Sequence, residues 1–260
     1  MPELPDVETF QKVLDATSLH QELIDVKVLN PRVLDGLSPS RLRQTLVGQE
    51  FRSTRRHGKY LLAEVDDSHW LVLHFGMTGY LDYGEAREPG PHDRVVFIFT
   101  GGNRLAYVCP RLFGRIALTE SVEGFVQGRN LGPDAMHIGA EEFVSRIRQS
   151  KATVKSRLMD QSCIAGVGNL YSDETLFQSS LHPAFPCHRL TTEQAKRLYR
   201  DMRKVLRMAI RKKADPWAMP PSYLLPHRKP DGSCPTCHTT LTRDTVAGRT
   251  TYWCPQCQRM

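Results

Sequence analysis

Four of the seven cysteines stand in two pairs, Cys234 with Cys237 and Cys254 with Cys257, in the pattern C-x2-C-x16-C-x2-C. Each CxxC unit forms a tight knuckle that presents two thiolates to one ion, and two such units close a tetrahedron. A closed four-sulfur site is structural, so the pattern predicts one structural Zn2+ and no catalytic metal. A second candidate for chemistry is Pro2 followed by Glu3. Loss of Met1 would leave a secondary amine at the chain terminus. An α-amino group has a pKa of about 7.7–8.0 against about 10.4 for lysine, so part of it is unprotonated near neutrality and able to attack carbon. Glu3 beside it is placed to give or take a proton.

These residues need elements to hold them. Val7, Phe10 and Leu14 recur at helical spacing behind Pro5, which predicts an early helix. Lys59 to Val65 and His69 to Phe75 are apolar segments joined by Asp66-Asp67-Ser68. Arg94 to Thr100 and Arg104 to Val108 are joined by Gly101-Gly102-Asn103. Closely spaced hairpins of this kind predict an antiparallel sandwich or barrel. From about Asn130 to Met219 the period becomes helical. Leu198, Met202, Val205, Leu206, Ala209 and Ile210 form an apolar stripe, with Lys196, Arg200, Lys204, Arg207 and Arg211 on other faces. Asp215 to Pro226 carries four prolines and reads as a loop. His227 to Met260 is too short for its own core and needs the cysteine staple. Within it, His238 to Thr245 and Arg249 to Trp253 alternate like a hairpin turning at Ala247-Gly248, and His238 reads as a surface residue.

The 260-residue chain is long enough for a sizeable core, with 40% hydrophobic and 24% charged residues, which excludes a disordered or low-complexity chain. No apolar stretch approaches the length of a transmembrane helix. The opening MPELPDVETF puts Glu3, Asp6 and Glu8 where a secretory signal puts basic residues and then an apolar run, so a cytoplasmic, nucleoid-associated location is expected. Lys and Arg number 35 against 28 Asp and Glu, a net +7. Lys196 to Lys213 holds nine basic residues with one acid, Asp201, and Arg41 to Lys59 holds six with one acid, Glu50. Patches of this kind favour a polyanionic partner such as nucleic acid.

Several longer motifs stand in a distinctive order: PELPDVE (Pro2 to Glu8), HGKYLL (His57 to Leu62), HFGMTGYL (His74 to Leu81), PRLFG (Pro110 to Gly114), LGPD (Leu131 to Asp134), MDQSCIAGVGNLYSDE (Met159 to Glu174) and GRTTYWCPQCQ (Gly248 to Gln258). The set resembles the formamidopyrimidine-DNA glycosylase / endonuclease VIII family of bifunctional base-excision repair enzymes. The resemblance spans nearly the whole chain. It implies an α+β fold. Residues 1–129 would form an N-terminal antiparallel β-sandwich catalytic domain with an N-terminal helix. Residues 130–226 would form a helix–two-turns–helix DNA-binding domain, and 227–260 a four-cysteine zinc finger. It further implies that the protein binds damaged double-stranded DNA in a basic cleft, for which a monomer is the default, excises an oxidised base through a Pro2 Schiff base, and cleaves the abasic site by β,δ-elimination without a diffusible cofactor.

The resemblance assigns roles residue by residue. Pro2 is the nucleophile on the sugar C1′, Glu3 the acid that helps open the ring, and Lys59 a catalytic residue that holds the backbone near the lesion and assists the chemistry. Met77, Arg111 and Phe113 fill the gap left by the extruded base, whose unstacking costs a few kcal/mol. The glycines beside them, Gly76, Gly79 and Gly114, suggest exposed loops. Lys155, Asn169 and the Gly166–Gly168 backbone contact phosphate, as does Arg249 at the hairpin tip.

The chain departs from the family pattern at Asp6, which keeps a carboxylate with shorter reach than Glu, and at Cys109, which replaces an Asp ahead of the Arg111 loop. Leu112 is apolar where a second arginine is common, at a position expected to face the base opposite the lesion. The 214–226 segment is short and proline-rich where the purine-repairing branch has a longer glycine-rich lid over 8-oxoguanine. Oxidised purines, ring-opened purines and oxidised pyrimidines all stay open as substrates. Two other classes compete: a non-catalytic damaged-DNA-binding protein of the same fold, opposed by Pro2, Glu3 and Lys59, and a zinc-ribbon RNA-binding or transcription protein, opposed by PELPDVE.

Overall fold

A computed structural model describes all 260 residues and divides into two compact units. The first holds residues 1–2 and 6–130, and the second holds residues 3–5 and 131–260.

The first unit contains most of α1 (Leu4–Thr17), the helices α2 (Pro39–Leu46) and α3 (Val122–Gly128), and eight strands. The strands are β1 (Leu23–Val28), β2 (Ser53–His57), β3 (Tyr60–Asp66), β4 (His69–His74), β5 (Tyr80–Glu85), β6 (Asp93–Phe99), β7 (Asn103–Val108) and β8 (Arg115–Thr119). They form two four-stranded sheets, ordered β1-β6-β7-β5 and β2-β3-β4-β8, with every pair antiparallel. The alternation of side chains along a strand explains the core. Leu61, Ala63 and Val65 of β3 and Leu71 and Leu73 of β4 share one buried cluster with Val95, Phe97 and Phe99 of β6 and Leu105 and Tyr107 of β7. The intervening Val96, Ala106 and Val108 form a separate cluster on the other face. Val7 and Leu14 of α1 close onto the main cluster, as the helical spacing predicts. Burying each such side chain contributes about 1.5–3 kcal/mol. This is the antiparallel sandwich with an N-terminal helix expected from the sequence.

The second unit is helical: α4 (Ala140–Arg148), α5 (Val154–Met159), α6 (Asn169–Gln178) and α7 (Thr192–Arg211), followed by the hairpin β9 (Thr242–Val246) and β10 (Arg249–Trp253). α7 opens with a capping box. Thr191 Oγ1 accepts from the Gln194 N–H, and the Gln194 side chain accepts from the Thr191 N–H. Its Ala195, Leu198, Met202, Val205, Leu206 and Ala209 are buried, while Lys196, Arg200, Lys204, Arg207 and Arg211 are exposed. The proline-rich segment holds two single 3-10 turns, Pro216–Ala218 and Leu225–His227. Strand β9 begins four residues later than the alternation from His238 suggests. Ala247 and Gly248 make the turn with φ of 53° and 69°, the paired left-handed conformation of a tight hairpin.

Candidate functional site

Glu3 is buried, and it is held by the start of α6. Its Oε2 accepts from the Gly168 N–H at 2.7 Å and the Tyr171 N–H at 3.4 Å, and its Oε1 accepts from the Leu170 N–H at 2.8 Å. The first N–H groups of a helix have no partners within it and carry partial positive charge, so a carboxylate fits there. The two glycines of the GVGN motif are set by this contact. A Cβ on Gly168 would lie 2.4 Å from Glu3 Cδ. Gly166 adopts φ +118°, accepts from the Leu4 N–H at 3.1 Å, and leaves no room for a Cβ against the Leu4 side chain. Gln161 braces the turn, accepting from the Gly166 N–H and donating to the Met159 and Val167 carbonyls.

This corrects the expectation of phosphate contact at Gly166 and Gly168, whose N–H groups go to Gln161 and Glu3. The two segments stand 165 residues apart in sequence, and no local signal pairs them. Pro2 is half-buried, directly before Glu3.

Lys155 calls for a second correction. It is buried, not presented to a phosphate. Its Nζ lies 2.6 Å from Asp173 Oδ1 and donates to Thr251 Oγ1 at 2.6 Å. Burial presses the ammonium below its usual range, and Asp173 opposes that shift. Asp173 Oδ2 also accepts from Arg228 Nε at 2.9 Å and from the Tyr252 N–H at 3.2 Å. Arg228 and Asn169 Nδ2 each donate to the Thr250 carbonyl at 3.0 Å. Lys155, Asp173, Asn169 and Arg228 therefore tie α5 and α6 to β10. Arg249, one residue before Thr250, is exposed and makes no ion pair. Sequence reading missed Asp173 and Arg228. The proximity of Asp173 to Asn169 in the same motif was the one available signal.

The four cysteines converge, with all four Sγ atoms within 4.8 Å of one another. Cys234 Sγ to Cys257 Sγ is 3.8 Å and Cys237 Sγ to Cys254 Sγ is 3.4 Å, with no disulfide. Sulfurs about 2.3 Å from a tetrahedral zinc lie about 3.8 Å apart, so the donor set fits. The Thr236 and Cys257 N–H groups point at Cys234 and Cys254 Sγ, both at 3.4 Å, as knuckles require. These residues can hold a metal ion. Phe177, Leu224, Leu241 and Tyr252 pack around Cys234 and Cys254.

In the first unit, Lys59 sits in the two-residue turn between β2 and β3, after Gly58 at φ +57°. Arg56 supports that turn: its side chain donates to the Gly58 carbonyl at 3.2 Å and to Glu8 on α1 at 2.8 Å. Burial, then the charges of Lys59, Arg115 and Arg129, holds the His74 imidazole down to about 4, neutral near pH 7. This cationic group around His74 was not anticipated, because Arg115 and Arg129 lie far from Lys59 in sequence.

Met77 and the 110–114 loop are brought together, and the glycines show how. A Cβ on Gly76 would lie 2.5 Å from the Phe113 and Gly114 backbone, and one on Gly114 would overlap the Tyr107 hydroxyl. Gly76, Gly79 and Gly114 therefore mark close packing of backbone, not open loops. Beside them Met77 is half-buried and Phe113 is 52% exposed, with Arg111 over its ring at 5.3 Å. Cys109 is buried and its Sγ accepts from the Gly114 N–H at 3.3 Å, so the thiol holds this loop. Leu112, expected against an opposite base, is half-buried against the sandwich core at φ +57°.

Comparison with known proteins places this arrangement. Residues 1–116 match the family model for the formamidopyrimidine-DNA glycosylase N-terminal domain, and residues 131–218 match that for its H2TH domain. The chain belongs to the formamidopyrimidine-DNA glycosylase family. A formamidopyrimidine-DNA glycosylase of Pelotomaculum thermopropionicum is 32% identical over the full length of both chains. One of Synechococcus elongatus is 34% identical over 99% of this chain and 97% of its own. Among solved structures, the Lactococcus lactis enzyme bound to DNA containing N7-benzyl-Fapy-dG covers both chains completely at 27% identity, with a TM-score of 0.90. A further complex, with DNA containing carbocyclic 8-oxoG, also matches over both full chains, at 27% identity and TM-score 0.91.

Proposed function

We propose that this protein is a base-excision repair glycosylase that removes oxidised bases from duplex DNA and then cleaves the abasic site. The observation that carries the mechanism is the buried Glu3 carboxylate, fixed by three N–H groups directly after Pro2. Once Met1 is released, the Pro2 nitrogen attacks C1′ of the damaged nucleotide, the C1′–base bond breaks, and the departing base takes a proton from solvent. The three N–H bonds fix the orientation of the Glu3 carboxylate beside Pro2. Glu3 takes the proton that the amine loses and returns it to the ring oxygen as the sugar opens to the iminium. Elimination on the 3′ and then the 5′ side cleaves the strand. Lys59, in its braced turn, holds the backbone beside the lesion.

Met77, Arg111 and Phe113 fill the vacated stack, Arg249 grips phosphate, and Lys155 and Asn169 support the hairpin that carries Arg249. The metal we assign to Cys234, Cys237, Cys254 and Cys257 is a single structural zinc, outside the chemistry. In this reading residues 1–129 carry the nucleophile, 130–226 bind DNA and 227–260 form the finger. No helix is long and apolar enough to cross a membrane, and we assign the enzyme to the cytoplasm. The relatives' names, and the Fapy-dG and 8-oxoG in the matching complexes, favour purine lesions over pyrimidines.

Borohydride trapping tests this. Protein whose mass shows Met1 removed is offered duplexes with an abasic site, 8-oxoguanine or thymine glycol. The expected result is a covalent adduct mapped to Pro2 with the abasic and 8-oxoguanine duplexes, sharply reduced in Glu3→Gln. The absence of an adduct on every duplex would leave a damaged-DNA-binding protein of the same fold.

A further inference from the structure

Residues 109–114 join β7 to β8, and two of their side chains, Arg111 and Phe113, stand exposed. These are the side chains placed above in the vacated stack. A loop that must enter a stack works best when it is ordered before DNA arrives. Ordering one backbone residue during binding costs about a tenfold change in the binding constant.

Two arginine side chains order this loop, one from each end. Arg94 acts at the entrance. The register between β6 and β7 shifts from Asp93 to Val95, so Arg94 is an extra residue in its strand. Such a bulge turns a side chain away from its usual direction. Here the guanidinium lies along the backbone of the neighbouring segments. Arg94 Nε donates to the Cys109 carbonyl at 2.8 Å, and Nη2 donates to the Pro110 carbonyl at 3.4 Å. The same group donates to the Pro91 carbonyl at 3.2 Å and to His92 Nδ1 at 3.3 Å. The Arg94 carbonyl in turn accepts from the Leu29 and Asn30 N–H groups, at 2.9 and 3.2 Å, which ties the bulge to the end of β1. Arg115 acts at the exit. Its Nη1 donates to the Leu112 carbonyl at 3.0 Å and to the Gly114 carbonyl at 2.7 Å.

The acceptors follow a pattern. The carbonyls taken belong to Cys109, Pro110, Leu112 and Gly114, the residues on either side of Arg111 and of Phe113. The backbone is fastened between the two exposed side chains, and the side chains themselves are left free to enter DNA. Every acceptor is neutral, and neither Arg94 nor Arg115 bonds to a carboxylate. An arginine used only for stability is better served by a carboxylate, whose charge-assisted bonds are roughly twice as strong.

We propose that Arg94 is a positioning residue for base extrusion: with Arg115 it holds the 109–114 backbone so that Arg111 and Phe113 enter the stack already aligned. The proposal rests on the glycosylase reading. Arg94 is the residue to test, because Arg115 also adds its charge beside His74 and Lys59.

The test compares wild type, Arg94→Met, Arg94→Lys, Phe113→Ala and the double variant Arg94→Met/Phe113→Ala in single-turnover reactions. One duplex carries 8-oxoguanine with 2-aminopurine beside it, whose fluorescence rises as the stack opens. The other carries an abasic site, which has no base to extrude, and is read by borohydride trapping. Arg94→Met is expected to slow the fluorescence rise roughly tenfold, the scale of one backbone residue left to be ordered. It should trap on the abasic duplex at the wild-type rate, and Arg94→Lys, which keeps the charge and a donor, should recover part of the loss. If Arg94 acts through Phe113, the loss in the double variant falls short of the product of the two single losses. An unchanged fluorescence rise, equal slowing on both duplexes, or losses that multiply in full would each overturn the proposal. Should Arg94→Met fail to fold, Arg94→Lys carries the same comparison, with a smaller loss confined to the 8-oxoguanine duplex expected. A wild type that traps on neither duplex would count against the glycosylase reading, while the fluorescence rise, which needs no cleavage, would still report on Arg94.

Discussion

Lys155 and Arg249 are both cations bound to the same hairpin, and the molecule treats them oppositely. Lys155 is buried against Asp173 and Thr251, while Arg249, two residues from Thr251, stands in water without a partner. The difference lies in what surrounds each charge. Asp173 gathers Lys155, Arg228 and the Tyr252 N–H, so this ionic cluster fixes where β10 lies against α5 and α6. The tip then displays Arg249 from a position that the cluster has set. A basic residue in a DNA-binding protein can therefore serve DNA from the inside, by holding another residue in place.

That contrast can be broken at several points. Removing the metal should have the largest effect, because structural zinc is worth on the order of 10–16 kcal/mol of apparent folding energy. Chelation under reducing conditions is expected to unfold residues 227–260 and abolish DNA binding, read by proteolysis and anisotropy. Binding that survives verified zinc loss would show that the buried cluster alone holds the hairpin.

Next comes Lys155→Ala, which leaves Asp173 short of one buried counter-charge. A destabilisation of about 3–5 kcal/mol in urea unfolding is expected. A variant of wild-type stability with weakened DNA binding would return Lys155 to a direct phosphate role.

A third test concerns Glu174, where burial raises the carboxyl pKa from 4.5 to about 7. The folded state then keeps a proton that the unfolded chain has released. Its contribution to stability is present below about pH 4.5 and is lost as pH rises toward 7, by about 3 kcal/mol. Unfolding midpoints at pH 5 and 7.5 should show this difference in wild type relative to Glu174→Gln. Equal pH slopes in the two proteins would mean that the Leu224 and Leu225 N–H groups keep the carboxylate ionised throughout.

The smallest effect on folding belongs to Arg249→Ala, with stability expected within about 0.5 kcal/mol of wild type. DNA binding should weaken on every sequence, and its salt slope should fall by about one. An unchanged slope would remove Arg249 from the phosphate contacts.

Legibility in the sequence followed the range of the interaction. The cysteine knuckles and the Ala247-Gly248 turn are local, and spacing alone revealed them. Strand alternation did the same for the sandwich, where Leu61, Ala63 and Val65 read correctly as one face. The site was legible as residue types and misread as contacts. Pro2, Glu3 and the glycines of GVGN stood out, but nothing in the chain says that Gly168 must stay bare to admit the Glu3 carboxylate. Likewise Gly76 and Gly114 looked like loop residues, because the Tyr107 hydroxyl and the Phe113 backbone that crowd them come from other segments. Lys155 was misplaced for the same reason: its partner Thr251 lies 96 residues away.

The seat of Glu3 on α6 also sets a schedule. Glu3 is among the first residues made, yet the N–H groups that hold it belong to Gly168, Leu170 and Tyr171. At roughly 5–20 residues per second, a ribosome needs on the order of ten to thirty seconds to reach them. Throughout that interval a nascent chain has Pro2 and Glu3 but no helix start on which to seat the carboxylate. In the proposed mechanism, a truncated product that stops short of α6 therefore carries Pro2 without a seated Glu3.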